Sequence, residues 1–252
     1  MATIKEIYDY MDSLYPFSLQ EEFDNCGLNV GNFDAQVTKC ALALDITDPV
    51  IDEAAEKGAQ LIVTHHPVIF DPVKSVRAGS LEYKLVQKNI GHIASHTSLD
   101  KAIGGANDVL AQFIGLKKIR LLNEETMFGR IGSYPEALTP EQFAEKCKTS
   151  LGCEMVKLSA GNRPIKTAAV NTGAGSFSLV DVIREGADAF LTGEIKLNEV
   201  LLARKLGITI VEAGHFETEN MVMGTLIEKF SSQFKDVEFF EAETNVTMWK
   251  FV

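Results

Sequence analysis

The chain has 252 residues and five histidines, four of which stand where apolar runs end. In VTHHPVIF (63–70), His65 and His66 follow the run LIVT side by side, and Pro67 comes next. His96 closes GHIASH and precedes Asp100 by four residues; His215 follows ITIVEAG and precedes Glu219 by four. Imidazole and carboxylate without thiolate suit zinc, manganese, iron, cobalt or nickel. Within a regular strand, neighbouring side chains point to opposite faces, so His65 and His66 could not both serve one ion from there. At a strand end before a proline, which holds His66 extended, the two rings can splay, each toward its own ion. Two ions roughly 3.5–4 Å apart need a bridging group, usually a carboxylate plus a water or hydroxide. Asp100 and Glu219 are the carboxylates on offer, and His215 could complete one ion's shell. The plainer reading, a hydrogen-bonded loop histidine, fits any one of the four better than it fits all four together.

Other groups carry less. His92 shares an alternate-residue face with His96 and reads as packing or surface. Asp45, at the end of one apolar run as Asn171 is at another, either orients a histidine or is a turn residue. TGAGSFS (172–178) leads by a Gly-rich turn into a helix, where exposed N–H groups could hold phosphate; a Ser-capped turn is the simpler account. Cys26, Cys40, Cys147 and Cys153 form no CxxC pair and read as reduced packing residues. VEFFEAETNVTMWKFV, two short strand-like runs around Glu243, Thr244 and Asn245, offers no chemistry.

The elements that must position these groups alternate between helix and strand. Thr3-x-x-Glu6 is a capping box ahead of a stripe of Ile4, Ile7, Met11 and Leu14. CALALDI (40–46) is a buried strand, Asp48-Pro49 a cap and first turn, and Gly58 a helix stop. Strand 59–64, helix 81–89, strand 91–96 and helix 105–115 follow. The second half repeats the grammar with a capped helix from Thr139, strand 167–171, helix 179–186, strand 187–192, helix 197–207 and strand 208–214. KGAQLIVTHH (57–66) matches EGADAFLTGE (185–194), and His96-xxx-Asp100 matches His215-xxx-Glu219. The expected fold is therefore α/β with two similar, duplicated lobes, 1–124 and 125–252, joined within the stretch 123–137. Ligands in such folds collect beyond the carboxyl ends of the strands, so the metal site is expected there, between the lobes.

Apolar residues make up 46% of the chain, enough for a substantial core. No apolar run approaches the roughly 18 residues that span a bilayer. MATIKEIYDYMDSLYP lacks a basic region followed by a long apolar one, so no signal peptide is expected and a cytoplasmic location is the default. The net charge of −11 repels phosphate backbones, which argues against broad nucleic-acid affinity. A bound cation could still draw in an anion.

Five stretches together, FDNCGLNVG (23–31), THHPVIF (64–70), SHTSLD (95–100), TGE (192–194) and GHFETE (214–219), resemble the dinuclear-metal-centre family known as GTP cyclohydrolase 1 type 2 homologs. The likeness spans nearly the whole chain, in the short form that lacks an inserted domain. It implies a toroidal homohexamer with two divalent ions per chain. It implies His65, Asp100 and Glu219 on one ion and His66, His215 and Glu219 on the other, with Glu219 bridging. His96 and Glu194 are motif positions and candidate catalytic groups. The implied reaction is hydrolytic opening of the guanine ring of GTP with release of formate. The alternatives are a phosphoesterase with the same ligands and a non-enzymatic metal-binding hexamer that interacts with protein or DNA. One departure stands out: Asn198 occupies the place where TGExxxH members carry a histidine.

Overall fold

The computed structural model describes residues 1–250 and 252. In chain order the elements are β1 (Ala2–Thr3), α1 (Ile4–Leu14), β2 (Gly27–Val30), β3 (Gln36–Val37), β4 (Lys39–Ala43), α2 (Asp48–Glu56), β5 (Leu61–Thr64), α3 (Leu81–Lys88), β6 (Gly91–Ala94) and α4 (Thr97–Lys101). There follow α5 (Ala106–Phe113), β7 (Lys117–Leu121), β8 (Arg130–Leu138), α6 (Pro140–Leu151), β9 (Lys157–Ser159), β10 (Ile165–Asn171), α7 (Leu179–Arg184), β11 (Ala189–Thr192), α8 (Leu197–Lys205), β12 (Thr209–Glu212) and α9 (His215–Glu219). The last two are α10 (Met221–Gln233) and β13 (Glu238–Glu241). Among the described residues, no helix is long and apolar enough to cross a membrane.

The chain forms two compact units. The first comprises Met1–Ala102 and Met223–Val246, the second Ile103–Val222 and Thr247–Val252. A boundary at 124 and 125 would part β7 from β8, which pair antiparallel, and β13 from β4, which pair in parallel.

In the first unit the sheet order is β13-β4-β5-β6-β2. β4, β5 and β6 are parallel, with Ala43 beside Thr64 and Thr64 beside Ala94. Apart from Lys39, every residue of the three strands is buried, and most are apolar, because both faces are covered. Ala41, Ala43 and Ile62 pack with Val50, Ile51 and Ala54 of α2 and Leu85 of α3. On α1, Ile4, Ile7 and Met11 are buried, as their spacing predicts, and Thr3 with Glu6 forms the reciprocal capping box. Each such side chain contributes about 1.5–3 kcal/mol on leaving water.

In the second unit the order is β7-β8-β10-β11-β12-β9, with β10, β11 and β12 parallel. The period of two is visible in the packing. Ala168, Val170, Ala189 and Leu191 join Leu110 of α5 and Phe143 and Cys147 of α6, whereas Ala169, Phe190 and Ile210 join Leu179 and Val182 of α7 and Ala203 of α8. The succession β4-α2-β5-α3-β6-α4 recurs as β10-α7-β11-α8-β12-α9. Even the turns agree: Gly58 and Gly186, each after the first helix of its set, take left-handed φ values of +73° and +67°.

Four local expectations need correction. The cap of α2 is Thr47, whose hydroxyl accepts from Val50 N, and Asp48 is already helical. The stretch read as a connector contains β8; Pro135 is tolerated because it falls in a register irregularity opposite Ile165 to Thr167. Ser178 makes no side-chain cap for α7, since its hydroxyl bonds Asn171 Nδ2 at 2.7 Å. In the tail, among the described residues, only Glu238–Glu241 forms a strand.

Beyond the pairing of β13 with β4, one carboxylate gathers the tail. Glu53 of α2 accepts from Lys57 Nζ at 2.7 Å, from the backbone N–H groups of Glu243 and Thr244 at 2.8 Å each, and from the Thr244 hydroxyl at 2.7 Å. Burial alone would raise its pKa, but these donors outweigh it and bring it down to about 2. A folded pKa below the unfolded value adds stability above the ordinary carboxylate range and loses it as the pH falls. The Glu53 contribution is therefore expected to vanish between about pH 4.5 and about pH 2. Glu53→Ala should cost about 2 kcal/mol at neutral pH and flatten that part of the acid-unfolding curve; an unchanged curve would contradict the assignment.

Candidate metal centre

In the first unit the parallel register brings the ends of β4, β5 and β6 to one edge. The ladder runs one bond past the strands, with His66 N donating to Leu44 O and Ser95 N donating to Thr64 O, both at 3.0 Å. Regular pleating stops at Thr64, and this is what frees the two adjacent histidines to lie together. The ring centroids of His65 and His66 are 4.9 Å apart and tilted by 46°. His96, after β6, closes the triangle at 5.1 Å from His65 and 5.2 Å from His66. Nitrogens of all three lie within 4.8 Å of one another.

The partners of each ring define its tautomer. His65 is fully buried, and its Nδ1 lies 2.9 Å from Ser95 O. A carbonyl only accepts, so Nδ1 carries the proton and the neutral ring keeps its lone pair on Nε2. That Nε2 is 3.7 Å from Asp100 Oδ1. His66 Nδ1 meets Asp45 Oδ1 at 2.8 Å, and His96 Nδ1 meets Asp24 Oδ1 at 3.0 Å. Asp24 also accepts from the backbone N–H of Thr97 at 2.9 Å and from the Thr97 hydroxyl. Burial would raise the Asp24 carboxyl, yet the bonds from His96 and Thr97 hold it well below the usual carboxylate range. Asp24 thus remains an anion that fixes the His96 ring. Cys26 beside it stays a thiol, pushed up to about 11 by burial. His92 is a packing residue: it is buried, its Nε2 lies 2.7 Å from Thr64 Oγ1, and burial pushes it down to about 3.

In the second unit, β10, β11 and β12 end in the same way. Ala213 N donates to Thr192 O at 3.0 Å, and Glu194 N to Gly173 O at 2.9 Å. His215 opens α9, and its Nδ1 lies 2.8 Å from Glu194 Oε1. Its Nε2 faces Glu219 Oε2 at 3.1 Å, with Glu219 only 3% exposed. Gly173, at φ +54°, borders the pair: a Cβ there would run into Glu219 Oε1 and stand 2.9 Å from His215 Nε2. The space beside the imidazole and the carboxylate exists because this position has no side chain. Asn171, by contrast, serves structure through Ser178 and Gly175 O. Asn198 is exposed in the first turn of α8.

The first unit brings together three imidazoles that could hold a divalent cation, and the second offers the His215–Glu219 pair. All four rings hold Nδ1 against an oxygen and present Nε2, which is how metal-binding histidines are oriented. Where Nε2 faces a carboxylate oxygen, two lone pairs meet, and a proton or a cation must lie between them. The sequence pointed to His65, His66, His96 and Asp100 in one unit and to His215, Glu219 and Glu194 in the other, and each set comes together within its unit. It read Gly173 only as part of the Gly-rich turn 172–178 and Asp24 only as part of the stretch 23–31, and gave neither a place at the histidines. Asp45 takes the orienting role. Asp45→Ala is expected to lower metal affinity about tenfold without loss of fold, as read by calorimetric titration of the metal-free protein; undiminished affinity would show that the His66 ring needs no such support.

An α/β fold with imidazole–carboxylate clusters at its strand ends defines a protein with the ligands for divalent metal. Residues 2–247 match the family described as Duf34/NIF3 (NGG1p interacting factor 3), and the chain belongs to that family. It is 31% identical over 260 residues to a GTP cyclohydrolase 1 type 2 homolog of Clostridium perfringens, covering 99% of each chain. It is 30% identical to the GTP cyclohydrolase 1 type 2 of Helicobacter pylori, covering 92% of this chain and 94% of that one. Among solved structures it is similar to the Staphylococcus aureus protein SA1388, with a TM-score of 0.92 at 28% identity over 99% of each chain.

Proposed function

We propose that the protein is a dinuclear metal-dependent hydrolase that opens the guanine ring of GTP at C8 and releases formate. The observation that supports this reading is the common orientation of the four imidazoles, each with Nδ1 held by an oxygen and Nε2 presented. Relatives at about 30% identity that carry the GTP cyclohydrolase name supply the substrate. Under this reading His65, His66 and Asp100 of the first unit and His215 and Glu219 of the second would hold the divalent ions. Bound divalent ions supply positive charge for an anionic nucleotide and lower the pKa of water. The chain's own groups do the rest. Asp45 and Glu194 keep the Nδ1 protons of His66 and His215 in place, so that both rings remain Nε2 donors. His96, anchored by the Asp24 anion, is the group suited to hold and pass a proton as the ring opens.

The test is incubation of metal-loaded protein with GTP and with generic phosphodiesters, followed by mass spectrometry. Ring-opened nucleotide and formate are expected. Cleaved phosphodiester would make the protein a phosphoesterase, and no product from either would favour a non-enzymatic metal-binding assembly. Elemental analysis should find two divalent ions per chain; a content near zero after reconstitution would sink the ligand assignment. The proposed assembly is a homohexamer, and light scattering at the mass of one 27.6 kDa chain would refute it.

A further inference from the structure

The second unit contains a cavity of about 390 Å3 that reaches Glu194 and His215. Its walls include Met155, Val156 and Trp249, and its charged groups include Glu217, Lys157 and Lys250, so that both acceptors and cations face a ligand there. Trp249 is 77% exposed and Met155 51% exposed, a large apolar area to leave in water beside a polar cluster. Glu212, also on the wall, is already bonded to Lys157 Nζ at 2.7 Å. The chemistry is thus a flat indole and a thioether opposite a carboxylate that can only accept. A ligand matching both is planar, apolar on its faces and rich in N–H donors on one edge. An aliphatic chain lacks both the flat faces and the donor edge.

We infer that this cavity is the base pocket of the proposed site, with Trp249 stacking on a guanine ring and Glu217 accepting from its N1–H and 2-amino group. This rests on the guanine ring-opening reading and adds the recognition element. Guanine offers two adjacent donors on that edge, a match for the two oxygens of one carboxylate. Hypoxanthine offers one, and adenine offers a bare ring nitrogen there. With that edge on Glu217, the C8 edge is left for the end of the cavity formed by Glu194 and His215.

Trp249 is the only tryptophan in the chain, so its emission reads occupancy directly. Titration of the full-length protein with guanosine, inosine and adenosine, which carry no phosphate, should quench it in that order of affinity, with guanosine about tenfold or more tighter than adenosine. Glu217→Gln should erase most of the guanosine preference and leave adenosine little changed. Trp249→Ala, measured by calorimetry, should weaken guanosine about tenfold, since stacking on an aromatic carries that order of affinity. Absence of quenching, equal response to all three nucleosides, or an unaltered preference in Glu217→Gln would each overturn the assignment. The two readings fail separately. Selective guanosine binding without GTP turnover would leave the pocket standing and sink the hydrolysis, while turnover of GTP with a silent Trp249 would do the reverse.

Discussion

Glu219→Gln is expected to weaken metal binding about a hundredfold and abolish the proposed hydrolysis while sparing the fold. Glu219 is buried, and its Oε2 faces His215 Nε2 at 3.1 Å. The other nitrogen of that ring is engaged by Glu194, so the Nε2 lone pair points at an anion. A cation reconciles them. A glutamine amide reconciles them too, because its N–H can donate to Nε2 with no metal present. The substitution therefore removes a charge from the ion site and satisfies the empty site at once. Losing one member of a buried charged set costs about 3 kcal/mol or more, which is on the order of a hundredfold in affinity. Calorimetric titration with zinc or manganese, and melting of the metal-free protein, would show it. Weak binding with an equal or higher melting temperature is the expected pair of results. Undiminished affinity would show that Glu219 is not a metal ligand.

Gly173→Ala should be nearly as damaging, through space rather than charge. The new methyl would collide with Glu219 Oε1 and crowd His215 Nε2. The left-handed backbone at φ +54° adds a cost of about 1–2 kcal/mol. Gly186→Ala separates the two effects. Gly186 has φ +67° but nothing within 4 Å of an added Cβ, so it carries the backbone cost alone. Both variants are expected to melt earlier, and only Gly173→Ala to lose metal. Equal metal content in the two would mean that the space beside His215 has no bearing on binding.

The parallel cores were legible because both faces of β5 and β11 are buried, and buried strands read as unbroken apolar runs. The histidines were legible because polar residues at the ends of such runs are uncommon. β8 was not, since glycine and Pro135 lie within it and a register irregularity accommodates them. Asp24 could not be given its role from spacing, because it reaches His96 across 72 residues of chain. Trp249 lies in a tail that showed no chemistry as sequence, and only the cavity it lines gives it one.

The place of β13 bears on how the protein is made. It is the last strand among the described residues, yet it pairs with β4, which lies near the beginning. A ribosome delivers β4, β5, β6 and β2 early, and the edge at β4 then stays open until residues 238–241 emerge. All strands of the second sheet have appeared by residue 212. The second unit can therefore close its sheet first, while the first waits with an apolar segment, CALA, open along its hydrogen-bonding edge. Open edges of that kind recruit other chains. Chaperone dependence, and aggregation of molecules truncated before β13, are the natural cost of a sheet that borrows its final strand from the far end of the sequence.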